Sequence, residues 1–484
     1  MERLPQAEFP FISGSYPAKS RAFDNQRTLN MYVEASDVGG GKNAAPGYLT
    51  ACAGLRQVQS LGSGPHRGSY LLSNASRAFF VSGNEVYFLT SPLGSPVRIT
   101  GNLNTSVGFV SMVDNGTDLL IVDGANGYFV DLSTNVLTTI NDPHFYNGAV
   151  TCTYLSGYFI CDEGPNSTSF FIGTPDSTTW PALNEFSADT SPDVIRALIS
   201  ANQQLYVLGS KTLEVWATNS QATALSDAFT PNSGRSINIG CQAPGTVQRV
   251  ANTFIFLGQN DQGAGVVYAL DSDVPNRVST HAIEHVLQQA GDLTSATAVA
   301  WQEDGHYFYA LQVPTLNTTL TYDLTTKTWF DKQTRYSGVF DRWAGQTHCF
   351  LNGVHLIGDR SSGNLYQLDQ TYDKDGDSTC YRERRTPHIS KGVSVCFYTT
   401  LQVDIQAGIG SLTEDPRLTL RISRDGGATY GNPVYASMGK VGEYRWRARW
   451  NRLGYARDAV FAIGCDGFQP VFLGAFLDYT EGTS

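Results

Sequence analysis

The chain is short of what most enzyme and membrane classes require. Only 16% of its 484 residues are charged, and long helical patterns are few. No window approaches the roughly 20 apolar residues of a membrane-spanning helix. The opening MERLPQAEFP has no apolar signal core, so no secretory leader is expected. The eight cysteines (52, 152, 161, 241, 349, 380, 396 and 465) lie far apart and form no CxxC pair. Zinc and disulfide frameworks are poorly supported, and buried free thiols in a reducing compartment are expected. There is no GxSxG elbow, no P-loop and no GxGxxG after a strand, which removes the usual hydrolase, nucleotide and dinucleotide signatures. Acidic residues are plentiful, but nothing singles out a pair at glycosidase distance.

What is abundant points to strands. With 48 glycines, 24 tyrosines and 41% hydrophobic residues, the composition is that of a globular all-β protein. The length exceeds one ordinary core and predicts two or three domains. A net charge of −11 argues against a nucleic-acid coat or an anionic membrane as the main partner. The charge is uneven. Residues 373–484 hold 14 Lys and Arg against 13 Asp and Glu, so the deficit lies upstream.

From about residue 68 one phrase recurs: a short apolar strand, a turn, an alternating aromatic strand and another turn. Copies begin at FFVSGNEVYFL (79–89), LLIVDGANGYFVDL (119–132), YFICDEGPNSTSFFIG (158–173) and LYVLGSKTLEVW (205–216). They continue at 254–270, 307–324 and 355–369. The spacing of about 40 to 53 residues is that of a four-stranded propeller blade, and about seven such units must close radially to bury their apolar faces. The expected organisation is an N-terminal extended segment (1–66) that leads into or closes the propeller, a β-propeller (67–372) and a small β-sandwich-like domain (373–484).

Several motifs invite chemistry, and each has a plainer reading. Thr280 and Gly291 bracket a predicted helix between blades. Its His281 and His285 have metal-compatible spacing, but Glu284 is misplaced for HExxH. Asp373, Asp375 and Asp377 resemble the start of a calcium loop, yet Arg384 stands where the bidentate Glu belongs, so a polar turn without metal is expected. ISRDGGATYG (422–431) carries the Asp-box pattern of sialidases. One copy outside the repeats reads as a hairpin stabiliser, with Asp425 bonding backbone amides and Gly426 and Gly427 taking positive φ. The stretch Tyr444–Asn451 predicts a strand with Tyr444, Trp446, Ala448 and Trp450 on one face and Arg445, Arg447 and Arg449 on the other. The arginines are interface candidates for an acidic protein face or a DNA backbone.

Taken in order, LNMYVEAS (29–36), GYLTACAGLRQV (47–58), RVSTHAIEHVL (277–287), DGHYFYALQVPTLNTTLTYDLTTKTWFD (304–331), RERRTPHI (382–389), SRDGGATYGNP (423–433) and MGKVGEYRWRARWNRLGYARDAVF (438–461) resemble the packaged-DNA stabilisation, or tail hub and nozzle, proteins of short-tailed bacteriophages. Ala53 stands where that family usually has proline. The resemblance implies a non-enzymatic virion protein, without cofactor, assembled in the host cytoplasm and residing in the phage tail. It implies a sixfold ring below the portal and its adaptor that retains packaged DNA and carries a spike, fibre or needle. Double-stranded DNA would traverse the ring without specific binding, and no membrane insertion is implied. A glycan-binding or glycan-cleaving propeller of a tail or adhesin is the alternative.

Overall fold

The computed structural model describes residues 6–36, 47–188, 193–260, 263–271, 273–408 and 416–482. Its only α-helix among these is His281–Ala290; nearly everything else regular is antiparallel strand. No described helix is long and apolar enough to cross a membrane.

Within the described residues, seven successive sheets each contribute one blade, at 66–98, 111–139, 152–187, 195–237, 240–277, 297–336 and 345–369. Two-residue turns with positive φ join the first two strands where the sequence allows: Asp304-Gly305 and Asn352-Gly353 have φ of 49° and 83°, and 46° and 82°. These values match the right-handed twist of the flanking strands. The innermost strands touch in sequence around a circuit, and Gly345–Leu351 of blade 7 returns to His66–Leu71 of blade 1.

The apolar clusters explain why the second strands read as unbroken hydrophobic runs. Successive side chains of a strand point to opposite faces, and both faces of each blade are covered. Leu119 and Ile121 of blade 2 pack on Phe79 and Val81 of blade 1, while Leu120 and Val122 pack on Phe159 and Cys161 of blade 3. The same division repeats around the circle and closes where Leu356 and Leu365 of blade 7 meet Ala78 and Phe80 of blade 1. No blade holds a core of its own; the cores lie between blades.

The expected N-terminal segment divides into two parts. Gly54–Ser60 pairs antiparallel with Asn364–Asp369 and completes blade 7, so the circle is closed by a strand from the other end of the propeller. The described strands before it lie in sheets with strands of the C-terminal domain. Met31–Ala35, Gly47–Ala51, Phe472–Glu481, Cys396–Ile405 and Ala448–Ala456 form one sheet, with Gln6–Glu8 also paired to Phe472–Glu481. Asn25–Leu29, Tyr381–Arg385, Asp458–Asp466, Arg417–Ser423 and Val434–Ser437 form the facing sheet. Phe11, Met31 and Leu49 are buried with Leu401, Phe461 and Leu477 in the core between them. The sandwich therefore needs both ends of the chain. A single parallel pairing, Leu29 with Asp331, continues its second sheet into the outermost strand of blade 6.

The helix lies between blades 5 and 6. Thr280 Oγ1 accepts the Ile283 amide at 3.4 Å, Gly291 takes φ of 78°, and Ile283 and Leu287 enter the inter-blade core.

Candidate interaction surfaces

The Asp-box turn uses its polar atoms on itself. The Asp425 carboxylate accepts from the amides of Ala428 (3.1 Å) and Thr429 (2.9 Å) and from the hydroxyls of Ser423 (2.6 Å) and Thr429 (2.5 Å). These bonds, Ser423's foremost, hold its carboxyl well below the usual range. Gly426 and Gly427 have φ of 67° and 85°. The turn packs on the N-terminal segment, where Asn25 Nδ2 donates to the Gly427 carbonyl at 3.4 Å. It lies in the sandwich, away from the propeller mouth.

The three aspartates of the calcium-like loop are not gathered around one point. Lys374–Asp375 and Ser378–Thr379 form a hairpin turning at Gly376. Asp375 is buried and accepts from Thr334 Oγ1 at 2.7 Å; burial raises its pKa. Asp377 is exposed. On the helix, Glu284 is held by Arg277 and by Ser279 Oγ at 2.7 Å, and His281 is 82% exposed. Among the described residues no group of three or more His, Cys, Asp or Glu is placed to hold a metal ion. All eight cysteines are buried and free.

The arginine strand differs from expectation. Regular pairing runs from Ala448 to Ala456; residues 444–445 form a turn and 446–447 lie outside any strand. Gly439 and Gly442 take φ of 84° and 89°, and Glu443 accepts the Lys440 amide at 2.8 Å. These glycines and the local bonds end the strand early. Trp450 and Ala448 are buried, but Tyr444 and Trp446 are 76% and 43% exposed. The indoles of Trp446 and Trp450 donate to the carbonyls of Ser437 (2.8 Å) and Val434 (3.0 Å). They thereby bridge the last strands of the two sheets. Arg445, Arg447 and Arg449 are all exposed. Arg449 donates to Gln402 Oε1 at 3.0 Å, and Arg447 Nε lies 3.8 Å from the buried Asp404.

Three further arrangements were not foreseen. The first is a pair of fully buried arginines, Arg382 and Arg384. Arg384 Nε donates to the Phe11 carbonyl at 2.7 Å, and Nη2 reaches Ser13 Oγ (2.6 Å) and Gln26 Oε1 (2.7 Å). Arg382 donates to the carbonyls of Phe468 (2.7 Å) and Cys52 (3.3 Å). Burial lowers the pKa of Arg384 to about 9. A charged run such as RERR (382–385) carries no sign of its own burial; only the alternation of a strand between two layers hints at it.

The second is His306 in blade 6. Its Nδ1 meets Asp323 Oδ2 at 2.7 Å and its Nε2 meets Glu34 Oε2 of the sandwich at 2.9 Å. Burial alone would lower its pKa; the bonds and charges of Asp323 and then Glu34 outweigh this and raise it to about 9.

The third is the propeller axis. Ser69, Ser111, Thr153, Ser200, Arg249, Thr297 and Gln346, one from each blade, line it. Several bond across blades: Thr153 Oγ1 to Ser200 Oγ at 2.7 Å, and Gln346 Nε2 to Thr297 Oγ1 at 2.9 Å. Phe109 lies across the axis against Gly245 on the far side and borders two cavities, of about 180 and 400 Å³. Its loop is held by the Arg67 guanidinium, which donates to the carbonyls of Thr105, Val107 and Gly108 at 2.7 to 2.8 Å.

Comparison with known proteins covers the whole architecture. Residues 7–373 match the family described as bacteriophage P22 Gp10, beta-propeller, and residues 381–473 match bacteriophage P22 Gp10, beta-sandwich. The tail hub protein gp10 of Salmonella phage P22 is 22% identical over 476 residues, spanning 94% of this chain and 95% of that protein. Among solved structures, the propeller domain of Myceliophteria thermophila Cps50 (Swd1) aligns with a TM-score of 0.42 at 8% identity, covering 65% of this chain and 98% of that one. The N-terminal domain of Nup159 aligns at 0.39 and 10%, covering 71% and 98%. With both of its domains matched in order, the chain belongs to the bacteriophage P22 Gp10 family of β-propeller and β-sandwich proteins.

Proposed function

We propose that this chain is the tail hub of a short-tailed bacteriophage: a structural virion protein that assembles as a ring, six copies being the expected number. The ring would sit below the portal and its adaptor, retain packaged double-stranded DNA, and carry a spike, fibre or needle. The observation that carries the reading is the match to the P22 tail hub protein along 94% of the chain, through both domains and in order. The geometry supports a ring. Phe109 lies across the propeller axis between two small cavities, which fits a duplex conduit formed between copies rather than through one propeller. The net charge of −11 favours a wall over which a polyanion slides without adhering.

The same reading makes the chain non-enzymatic. The one Asp-box turn engages its carboxylate with its own backbone and lies outside the propeller. Negative-stain imaging of the purified protein, alone and with its phage's portal and adaptor proteins, tests the proposal. Closed rings that bind the adaptor are expected. A chain that stays monomeric with the adaptor and is absent from tails seen by immunolabelling overturns it.

A further inference from the structure

Several of the sandwich's exposed apolar side chains lie along one edge. There the last strands of the two sheets, Val434–Ser437 and Ala448–Ala456, lie together, with no further strand beyond them among the described residues. Tyr435 is 59% exposed, Tyr455 63% and Trp446 43%, and exposed Arg445, Arg447 and Arg449 stand among them. Tyrosine, tryptophan and arginine are the residues enriched at the energetic centres of protein interfaces. The edge does not invite strand addition. Arg452 has φ of 61° and the pairing shifts register between Tyr398 and Thr400, and such a bulge, with the arginines, blunts an open edge. Contact is therefore through side chains.

The complementary surface is in the same chain. From Ile99 to Ile195 there is no lysine or arginine, and there are eleven aspartates and glutamates. This stretch is blades 2 and 3. Asp176 and Glu185 of blade 3 are exposed, beside Leu183 at 88% and Tyr146 at 41% exposure. The placement matters as much as the charge. The sandwich is joined to blade 6 through Leu29 and Asp331 and to blade 7 through Gly54–Ser60. In a circle of seven, the blade facing the gap between blades 6 and 7 is blade 3. The cationic aromatic edge and the most anionic blades thus lie at opposite ends of the molecule.

We infer that the aromatic and arginine edge of the sandwich docks on blades 2 and 3 of a second copy of this chain. Two different patches at opposite ends make a heterologous, head-to-tail contact, the kind that closes into rings. The inference rests on the ring proposed above and names the surfaces that build it.

Charge reversal tests it, read by sedimentation velocity at low and physiological salt. Arg445→Glu, Arg447→Glu and Arg449→Glu together are expected to raise the dissociation constant at least about a hundredfold, with circular dichroism and melting unchanged. Asp176→Arg with Glu185→Arg is expected to do the same from the other side. A chain carrying both sets is expected to assemble again, which a folding defect or a general charge effect would not produce. Rings that persist in the triple arginine variant, or a combined variant that stays dissociated, overturn this inference and leave the ring itself standing. A wild-type chain that remains monomeric at both salt concentrations, with its adaptor protein present as well, overturns the ring too.

Discussion

Arg384 Nε donates to the carbonyl of Phe11 at 2.7 Å, across 373 positions of sequence. The guanidinium stands where a calcium loop would need its last carboxylate. It is fully buried, and its other donors reach Ser13 and Gln26. One side chain thereby fastens the start of the chain to the C-terminal sandwich. Replacing Arg384 by Met is expected to cost about 3–5 kcal/mol, because buried acceptors lose their donors together. Lys at this position is expected to recover little, since an ammonium cannot reproduce the planar fork. Chemical denaturation of both variants checks this, and an unchanged midpoint for Arg384→Met refutes it.

The His306 contacts with Asp323 and Glu34 predict an alkaline loss of stability. A histidine whose folded pKa is raised from 6.5 to about 9 contributes fully below pH 6.5, and its contribution disappears as pH rises through 9. The amount is about 3 kcal/mol. His306→Gln is expected to be less stable than wild type at pH 6 and equal to it near pH 10. Parallel stability profiles for the two proteins across that range contradict the ion-paired histidine.

Asp425 is expected to act on stability alone. Asp425→Ala lowers the melting temperature, since the turn loses four acceptor contacts, and neither protein turns over a panel of chromogenic glycosides. Hydrolysis by wild type that vanishes in the variant would point to the sialidase-like alternative.

Calcium and chelator are both expected to leave the melting temperature unchanged, because Asp375 is occupied by Thr334 and Asp377 faces solvent. A rise of several degrees with millimolar calcium would mean that ligands converge from elsewhere.

Much of this protein is decided locally and can be read in the chain. Two-residue turns such as Asn352-Gly353 demand positive φ and force hairpins. Runs such as LLIV report a strand covered on both faces. Thr280 and Gly291 bracket their helix, and the Asp box is closed by bonds within a few residues. The family resemblance rests on such blocks in order. What only the tertiary structure decided depends on partners far along the chain. Nothing in RERR says that Arg382 and Arg384 will be buried, since a buried charge is tolerated only where distant carbonyls converge on it, as those of Phe11 and Phe468 do. The N-terminal strands share no repeat with the sandwich and join it because neither set alone covers its core. The alternation in Tyr444–Asn451 predicted one buried face, but two glycines upstream permitted a turn, and Trp446 was drawn to the open carbonyl of Ser437. Periodicity specifies which faces a strand has; the fold decides which face meets protein and which meets water.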